Sequence, residues 1–425
     1  MKKALIITYY WPPSGGGGVQ RWLKFAKYMR EYGWEPIIFT PENPAFPLQD
    51  RSLLKDIPED LEVIKIPIFE PYRLYSKVTG EKGNIGLIKK KDNNSITERF
   101  AKWARANLFI PDPKIFWVKP SVKFLKDYLK NHKVDVIITT GPPHSIHLIA
   151  LRLKKHIDIP WLADFRDMWS LYDILHHFKP GRRAIVKNTQ LELQVYKVAE
   201  KVVTITKNTA IDLEELGKRE IEVITNGFDE NDFRIKEKTS GKFIISHFGL
   251  LNTFRNPKLL WDVLEELCVE NENFSDSLEL RLGGMIDPEV KEDINRKLAL
   301  SQRTVFYDYL SHKDVIEKYY ESSVLLLLLN NTYLGTKFMT GKIFEYLAVN
   351  RPIFAIGAIA SDASEVLKDT GAGVIKDFQD KDGMKEILTS WFNNKDIPDL
   401  DSEKIKKYSR KNLTHNLVDL LESMI

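Results

Sequence analysis

Four consecutive glycines, Gly15, Gly16, Gly17 and Gly18, stand just after the apolar run ALIITYY and just before a helical pattern. Glycines at a strand-to-helix turn let backbone approach a ligand and leave N–H groups free at a helix start, which suits an anion. The spacing is not a dinucleotide fingerprint: Arg21 stands where a third glycine would fall, and Thr40 and Pro41, not an acid, end the second strand. No Gly-Lys-Ser/Thr follows, so it is not a phosphate loop of the NTPase type. The alternative is a plain surface loop. In TTGPPHSIH, His144 and His147 follow another apolar run. A metal pair would need a third ligand and none lies nearby, so lining a cleft or capping a helix is the expected role. In ADFRDMWS, Asp164, Arg166 and Asp167 crowd a strand end. Such charges are costly there unless paired or used. They read either as an ion pair tying two loops or as a site for sugar hydroxyls or a leaving phosphate.

The second half carries its own candidates. In HFGLLNTFRNPK, Gly249 permits a turn, and Arg255 and Lys258 stand just before a helix, where cations suit a diphosphate. In LGTKFMTGKIFEYLAVNRPIFA, Thr340 and Gly341 open a short apolar helix whose free N–H groups form an anion site. Glu345 is the only acid on that helix, placed to take a ribose diol or to form a salt bridge. Asp380-Lys-Asp382 and Asp399-Leu-Asp401 lie in polar turns and read as surface. Cys268 sits in a helical pattern and reads as a small buried hydrophobe.

These residues need a scaffold. Val19, Trp22, Leu23, Ala26 and Met29 recur at helical spacing, and Gly33 ends that helix. ALIITYY, EPIIFT, LEVIKIP, VDVIITT, PWLADF, KVVTIT and IEVITN read as short strands, with helical patterns between most of them. After the polar linker GFDENDFRIKEKTSGK the alternation restarts with FIISHFG, LELRLGG, TVFYDYL, SVLLLLLN, PIFAIG and GAGVI, separated by helices near 257–269, 288–300, 315–321 and 342–349. The expected fold is α/β, two doubly wound Rossmann-like domains facing a central cleft. The expected bounds are 1–228 and 229–400, with 401–425 as a final amphipathic helix carrying Leu413, Leu417, Leu420, Leu421 and Met424 on one face.

Composition narrows the class. The chain has 425 residues, 43% hydrophobic and 29% charged, which excludes disorder over its whole length. One cysteine excludes an internal disulfide and a cysteine-rich metal site. No apolar run reaches the roughly 18 residues of a membrane span, and MKKALIITYYWPP is too short for a signal-peptide core, so a cytoplasmic location is expected. Between Arg73 and Lys133, 15 Lys and Arg face 5 Asp and Glu, in a chain whose net charge is +4. Within it, 99–119 interleaves Trp103, Phe109, Phe116 and Trp117 with Arg99, Lys102, Arg105, Lys114 and Lys119. That pattern suits anionic lipid or an ordinary surface helix, and no nucleic-acid motif accompanies it.

The order of ADFRDMW (163–169), VITNGFDENDF (223–233), FGLLNTFRNP (248–257), LRLGG (280–284) and GKIFEYLAVNRPIFA (341–355) resembles a family 4 (group 1) glycosyltransferase of the GT-B architecture. The resemblance implies retaining, metal-independent transfer from a UDP- or GDP-sugar, with no cofactor, to a saccharide or lipid-linked acceptor in cell-envelope polysaccharide assembly, peripheral at the inner face of the membrane. It implies that the second domain binds the donor through Gly249, Arg255, Lys258, Gly284, Thr340, Gly341, Lys342 and Glu345. The first domain would take the acceptor at Gly15–Gly18, Arg21 and His144, with Arg166, Asp167 and Arg255 catalytic. The last helix would cross back onto the first domain. Three positions depart from the pattern: Lys337 where an acid is usual, Leu250 where arginine is usual, and Arg166 where many members carry histidine. A sugar-nucleotide epimerase on the same fold and a non-catalytic sugar- or lipid-binding partner of an active transferase are the other two readings.

Overall fold

Strands β1 (Lys2–Ile7), β2 (Trp34–Pro41), β3 (Glu62–Ile66), β4 (Val136–Gly141), β5 (Trp161–Phe165), β6 (Lys201–Thr204) and β7 (Glu222–Val223) form one sheet in the order β3-β2-β1-β4-β5-β6-β7. Every pairing in it is parallel. Parallel neighbours require crossovers, and crossover helices cover both sheet faces. The central strands are accordingly apolar where they cross the core: Ala4 to Ile7 and Val136 to Ile138 have no exposed surface. The computed structural model describes residues 1–46, 48–71, 103–171, 180–234, 241–308, 310–332, 336–337 and 339–425. Arg99 and Lys102 of the basic aromatic stretch, 235–240 of the polar connection, and 333–335 with 338 before the helix at 342 lie outside them.

A second parallel sheet holds β8 (Phe243–Phe248), β9 (Leu278–Gly283), β10 (Thr304–Tyr307), β11 (Val324–Leu328), β12 (Ile353–Ile356) and β13 (Gly373–Lys376), in the order β10-β9-β8-β11-β12-β13. The all-apolar β11, with Leu329 just beyond it, shows why such a run makes a strand. Val324, Leu326 and Leu328 enter the core on one face, and Leu325, Leu327 and Leu329 the core on the other. A period of two serves two covered faces. Burying each leucine contributes about 1.5–3 kcal/mol.

The chain divides into two units, Met1–Thr225 with Leu413–Ile425, and Asn226–Asn412. The last helix, Arg410–Glu422, gives Leu413, Leu417, Val418 and Leu421 to the core that holds Leu23, Trp34 and Val136 of the first unit. The helix expected over 288–300 is two pieces, Pro288–Asn295 and Leu298–Ser301, because Lys297 between them is extended.

In each sheet the strand order reverses once, at β1/β4 and at β8/β11. Loops leaving the carboxyl ends of such strands splay apart and leave room for a ligand. The glycine run follows β1, and His144 follows β4. Gly249 follows β8, and the helix Lys342–Val349 is the next helix after β11 among the described residues.

Candidate functional site

In the second unit, chain geometry brings two cations to one turn. Gly249 has φ +149°, a conformation glycine adopts freely, and a Cβ there would lie 1.6 Å from Lys342 Nζ. The lysine occupies the space a side chain would need. Arg255 reaches the same turn: its Nη1 donates to Leu250 O at 3.4 Å, and its Nε to Asn330 Oδ1 at 2.6 Å, just past β11. Gly284, at φ +95°, closes the floor, since a Cβ there would stand 2.7 Å from Gly249 O.

Neither cation forms an ion pair among the described residues. Burial first and then Arg255 lower the Lys342 pKa to about 8, with Glu345 opposing. Burial also lowers the Arg255 pKa. Both cations act on His247, which burial first and then Lys342 hold neutral, with a pKa of about 3. Its Nδ1 bonds Leu326 O at 2.9 Å and its Nε2 has no partner. Two half-buried positive groups without counter-charge are a standing cost that an anion would relieve.

The helix Lys342–Val349 begins at Gly341 with no side-chain cap; Thr340 Oγ1 takes the Lys342 N–H at a long 3.4 Å. It ends at Asn350 in the left-handed conformation, two residues before Pro352, which cannot extend it. Glu345 in its first turn meets His312 Nε2 at 3.2 Å through Oε1. The Glu345 side chain is about a quarter exposed and the His312 side chain about half, so the contact is weak and screened. Lys258 does not join the cations. Its side chain is largely exposed and pairs with Glu289 at 3.2 Å and Asp293 at 3.4 Å. The sequence places it beside Arg255, but the carboxylates of the helix Pro288–Asn295 draw it away.

In the first unit the glycine run is held from behind. Arg166 donates from Nη1 to Gly18 O at 2.7 Å, from Nη2 to Pro142 O at 2.7 Å and from Nε to Gly141 O at 3.2 Å. Its guanidinium thus fastens the β1 loop to the β4 loop. Arg21 also has another task. It is buried and binds both oxygens of Asp164, Nε to Oδ2 at 3.2 Å and Nη2 to Oδ1 at 3.1 Å. Trp22 and Thr140 donate to the same carboxylate. An Asp–Arg ion pair at this strand end therefore forms, and Asp164 finds its arginine in Arg21 of the helix that follows the glycine run.

What stays available at this edge is Gly15 to Gly17, Asp167 and part of His144. The helix Gly17–Met29 has neither a side-chain cap nor an acid in its first turn. Asp167 is half-buried; burial raises its pKa, and Arg166 partly offsets this. Tyr10 shares its field with Arg166, Asp112 and Asp167. His144 stacks on Trp169 at 5.2 Å, and burial holds its pKa well below the usual range, so its ring is neutral. Among the described residues no group of three or more His, Cys, Asp or Glu could hold a metal ion.

Sequence reading missed His247, Asn330 and Tyr10. Each carried a signal: a histidine inside an apolar strand, a polar residue straight after a buried one, and an aromatic pair at the first strand's end.

Residues 15–232 match the model of Glycosyltransferase Family 4, just over half of the chain, and the protein belongs to that family. It is a glycosyltransferase of the GT-B class. No curated protein matches the sequence. Sucrose-phosphate synthase from Thermosynechococcus elongatus is similar over 100% of this chain and 99% of its own, with TM-score 0.62 and 13% identity. The lipopolysaccharide outer core galactosyltransferase WaaB, in its apo form, is similar over 100% of both chains, with TM-score 0.60 and 14% identity. S. aureus TarM, as a point mutant complexed with fondaparinux, α-GlcNAc-glycerol and UDP, is similar over 99% of this chain and 100% of its own, with TM-score 0.60 and 12% identity. At these identities the likeness is one of fold.

Proposed function

We propose that the protein moves a sugar from a UDP- or GDP-sugar, with retention of configuration, to a saccharide or lipid-linked acceptor in cell-envelope polysaccharide assembly, working peripherally at the inner face of the membrane. The observation that carries the donor half is the pair Arg255 and Lys342, unneutralised against the Gly249–Leu250 turn at the reversal point of the second sheet. The diphosphate lies on that pair and on the open start of the helix at Gly341, with Thr340 beside it. Gly249 and Gly284 keep the floor low enough for close approach. Glu345 Oε2 takes a ribose hydroxyl while His312 holds Oε1.

Negative charge grows on the leaving diphosphate as the glycosidic bond to it breaks. Two fixed cations, partly out of water, stabilise that charge more than they stabilise the bound donor. The scheme uses no cofactor and no metal. The acceptor lies at the β1/β4 edge, with Gly15 to Gly17 and His144 shaping the site and Asp167 accepting a hydrogen bond from the acceptor hydroxyl. TarM, of the same fold, is described with UDP and a GlcNAc-glycerol, which supports a uridine donor and a glycosidic acceptor for this chain.

A thermal-shift panel of nucleoside diphosphates and nucleotide sugars, followed by product analysis, tests the reading. Stabilisation by one nucleotide and its sugar, with slow hydrolysis when acceptor is withheld, is expected. Epimer formation without acceptor, or no stabilisation by any of them, would overturn it.

A further inference from the structure

The first unit carries an aromatic and basic face that its core does not use. Among the described residues, five phenylalanine and tryptophan side chains are exposed, and four of them, Phe69, Trp103, Phe116 and Phe124, lie between residues 69 and 124; Phe254 is the fifth. Phe116 opens the helix Ile115–Asn131. Its ring lies 5.5 Å from Phe69 and 5.8 Å from Phe109, both edge-on, so the three form one surface cluster. Leu108, 60% exposed, stands next to Phe109 in the chain.

The same helix separates its faces cleanly. Trp117, Val118, Ser121 and Leu125 are buried. Phe116, Lys119, Lys123, Asp127 and Lys130 follow one another at helical spacing on the exposed side. Asp127, the one acid there, is already bound to Lys130 at 2.8 Å. Lys119, Lys123 and Lys126 form no ion pair among the described residues, so the face keeps its positive charge. Lysines flanking exposed aromatic rings fit a surface that is apolar beneath and negative at its rim, as an anionic bilayer is. A protein partner would need an acidic apolar patch of matching shape, and nothing here calls for one.

The face also adjoins the edge assigned to the acceptor. Glu70, directly after Phe69, accepts from Tyr9 Oη at 2.7 Å and is bonded by Lys114. Tyr10 stacks on Phe46 at 6.3 Å, and Phe46 meets Tyr9 at 5.9 Å. Glu70 and Lys114 thus link the exposed cluster to the rings at the end of β1.

We propose that Phe69, Phe109, Phe116, Lys119 and Lys123 dock the first unit on an anionic lipid surface, bringing the β1/β4 edge to a lipid-borne acceptor. This deepens the membrane part of the proposed function and is independent of the donor assignment.

Co-sedimentation of the full chain with phosphatidylcholine vesicles, with and without phosphatidylglycerol, tests it. Wild-type protein should bind only the anionic vesicles and release as salt rises. Each lysine lost should lower partitioning roughly fivefold, so K119E/K123E should fall well over tenfold. F116S should bind weakly even at low salt. Both variants should keep the nucleotide-induced thermal shift of the wild type, which separates loss of docking from loss of fold or donor binding. Equal binding by wild type and variants, or no binding to anionic vesicles, would overturn the proposal. So would a wild-type dimer, seen by sedimentation velocity, that K119E/K123E converts to monomer, because the face would then be a contact between copies.

Discussion

On the proposed reading, Lys342 and Arg255 set the chemistry at the scale of single residues, and their environment makes it depend on pH. With a pKa near 8 in the empty site, Lys342 is charged below that pH and neutral above it. A bound diphosphate favours the charged form, so binding raises this pKa and takes up a proton once the pH exceeds about 8. Affinity for nucleoside diphosphate should therefore hold nearly level from about pH 7 to 8. Beyond that it should fall by up to about tenfold per unit. Calorimetry across that range checks the slope, which Lys342→Met should abolish while weakening binding throughout. Glu345→Ala should cost about 1–3 kcal/mol of nucleotide binding, as one lost charged hydrogen bond does. Lys258→Ala, its carboxylate partners lying elsewhere, should cost nothing measurable in the same titration. Residue types and local spacing pointed to Arg255 and Glu345. They did not reveal that Lys342 Nζ rests on Gly249, because that closeness depends on where a helix from one loop lands against a turn from another.

At the scale of elements, the Arg21–Asp164 pair ties the first helix to β5 across 143 residues of sequence. No local pattern encodes such a pairing, so ADFRDMW read as an ion pair tying two loops or as a ligand site, without Arg21 as its partner. Removing one partner strands a buried charge, and Arg21→Met should destabilise the first unit by about 3–5 kcal/mol. A drop in its unfolding temperature with nucleotide binding retained would bear this out; an unchanged temperature would show the pair to be dispensable. Strands and short helices were largely legible, since apolar runs of strand length must be covered on both faces wherever parallel neighbours flank them. The helix Lys342–Val349 was legible to the residue because a glycine opens it and Asn350, with Pro352 beyond, closes it. The break at Lys297 was not, because no glycine or proline between Glu289 and Ser301 marks it.

At the scale of the whole molecule, the chain divides into two units, each built on a parallel sheet, and the proposed reading gives each one substrate. The family match covers most of the first unit, while the donor assignment rests on geometry in the second. The last helix makes the first unit discontinuous in sequence. Leu417, 1% exposed, belongs to its core, and Leu417→Ala should cost about 2–5 kcal/mol of that unit's stability. Denaturant unfolding followed by tryptophan fluorescence checks this, and a loss confined to the second unit would contradict it.

The claim that most depends on this architecture is that Arg255 and Lys342 together hold a nucleotide's diphosphate. Calorimetric titration of UDP and GDP into wild type and into the folded double variant Arg255→Ala/Lys342→Met tests it most directly. The account predicts that one of the two nucleotides binds the wild type and that the double variant loses about 3 kcal/mol or more, at least a hundredfold in affinity. Equal affinity in both proteins, or no binding of either nucleotide to the wild type, would contradict it.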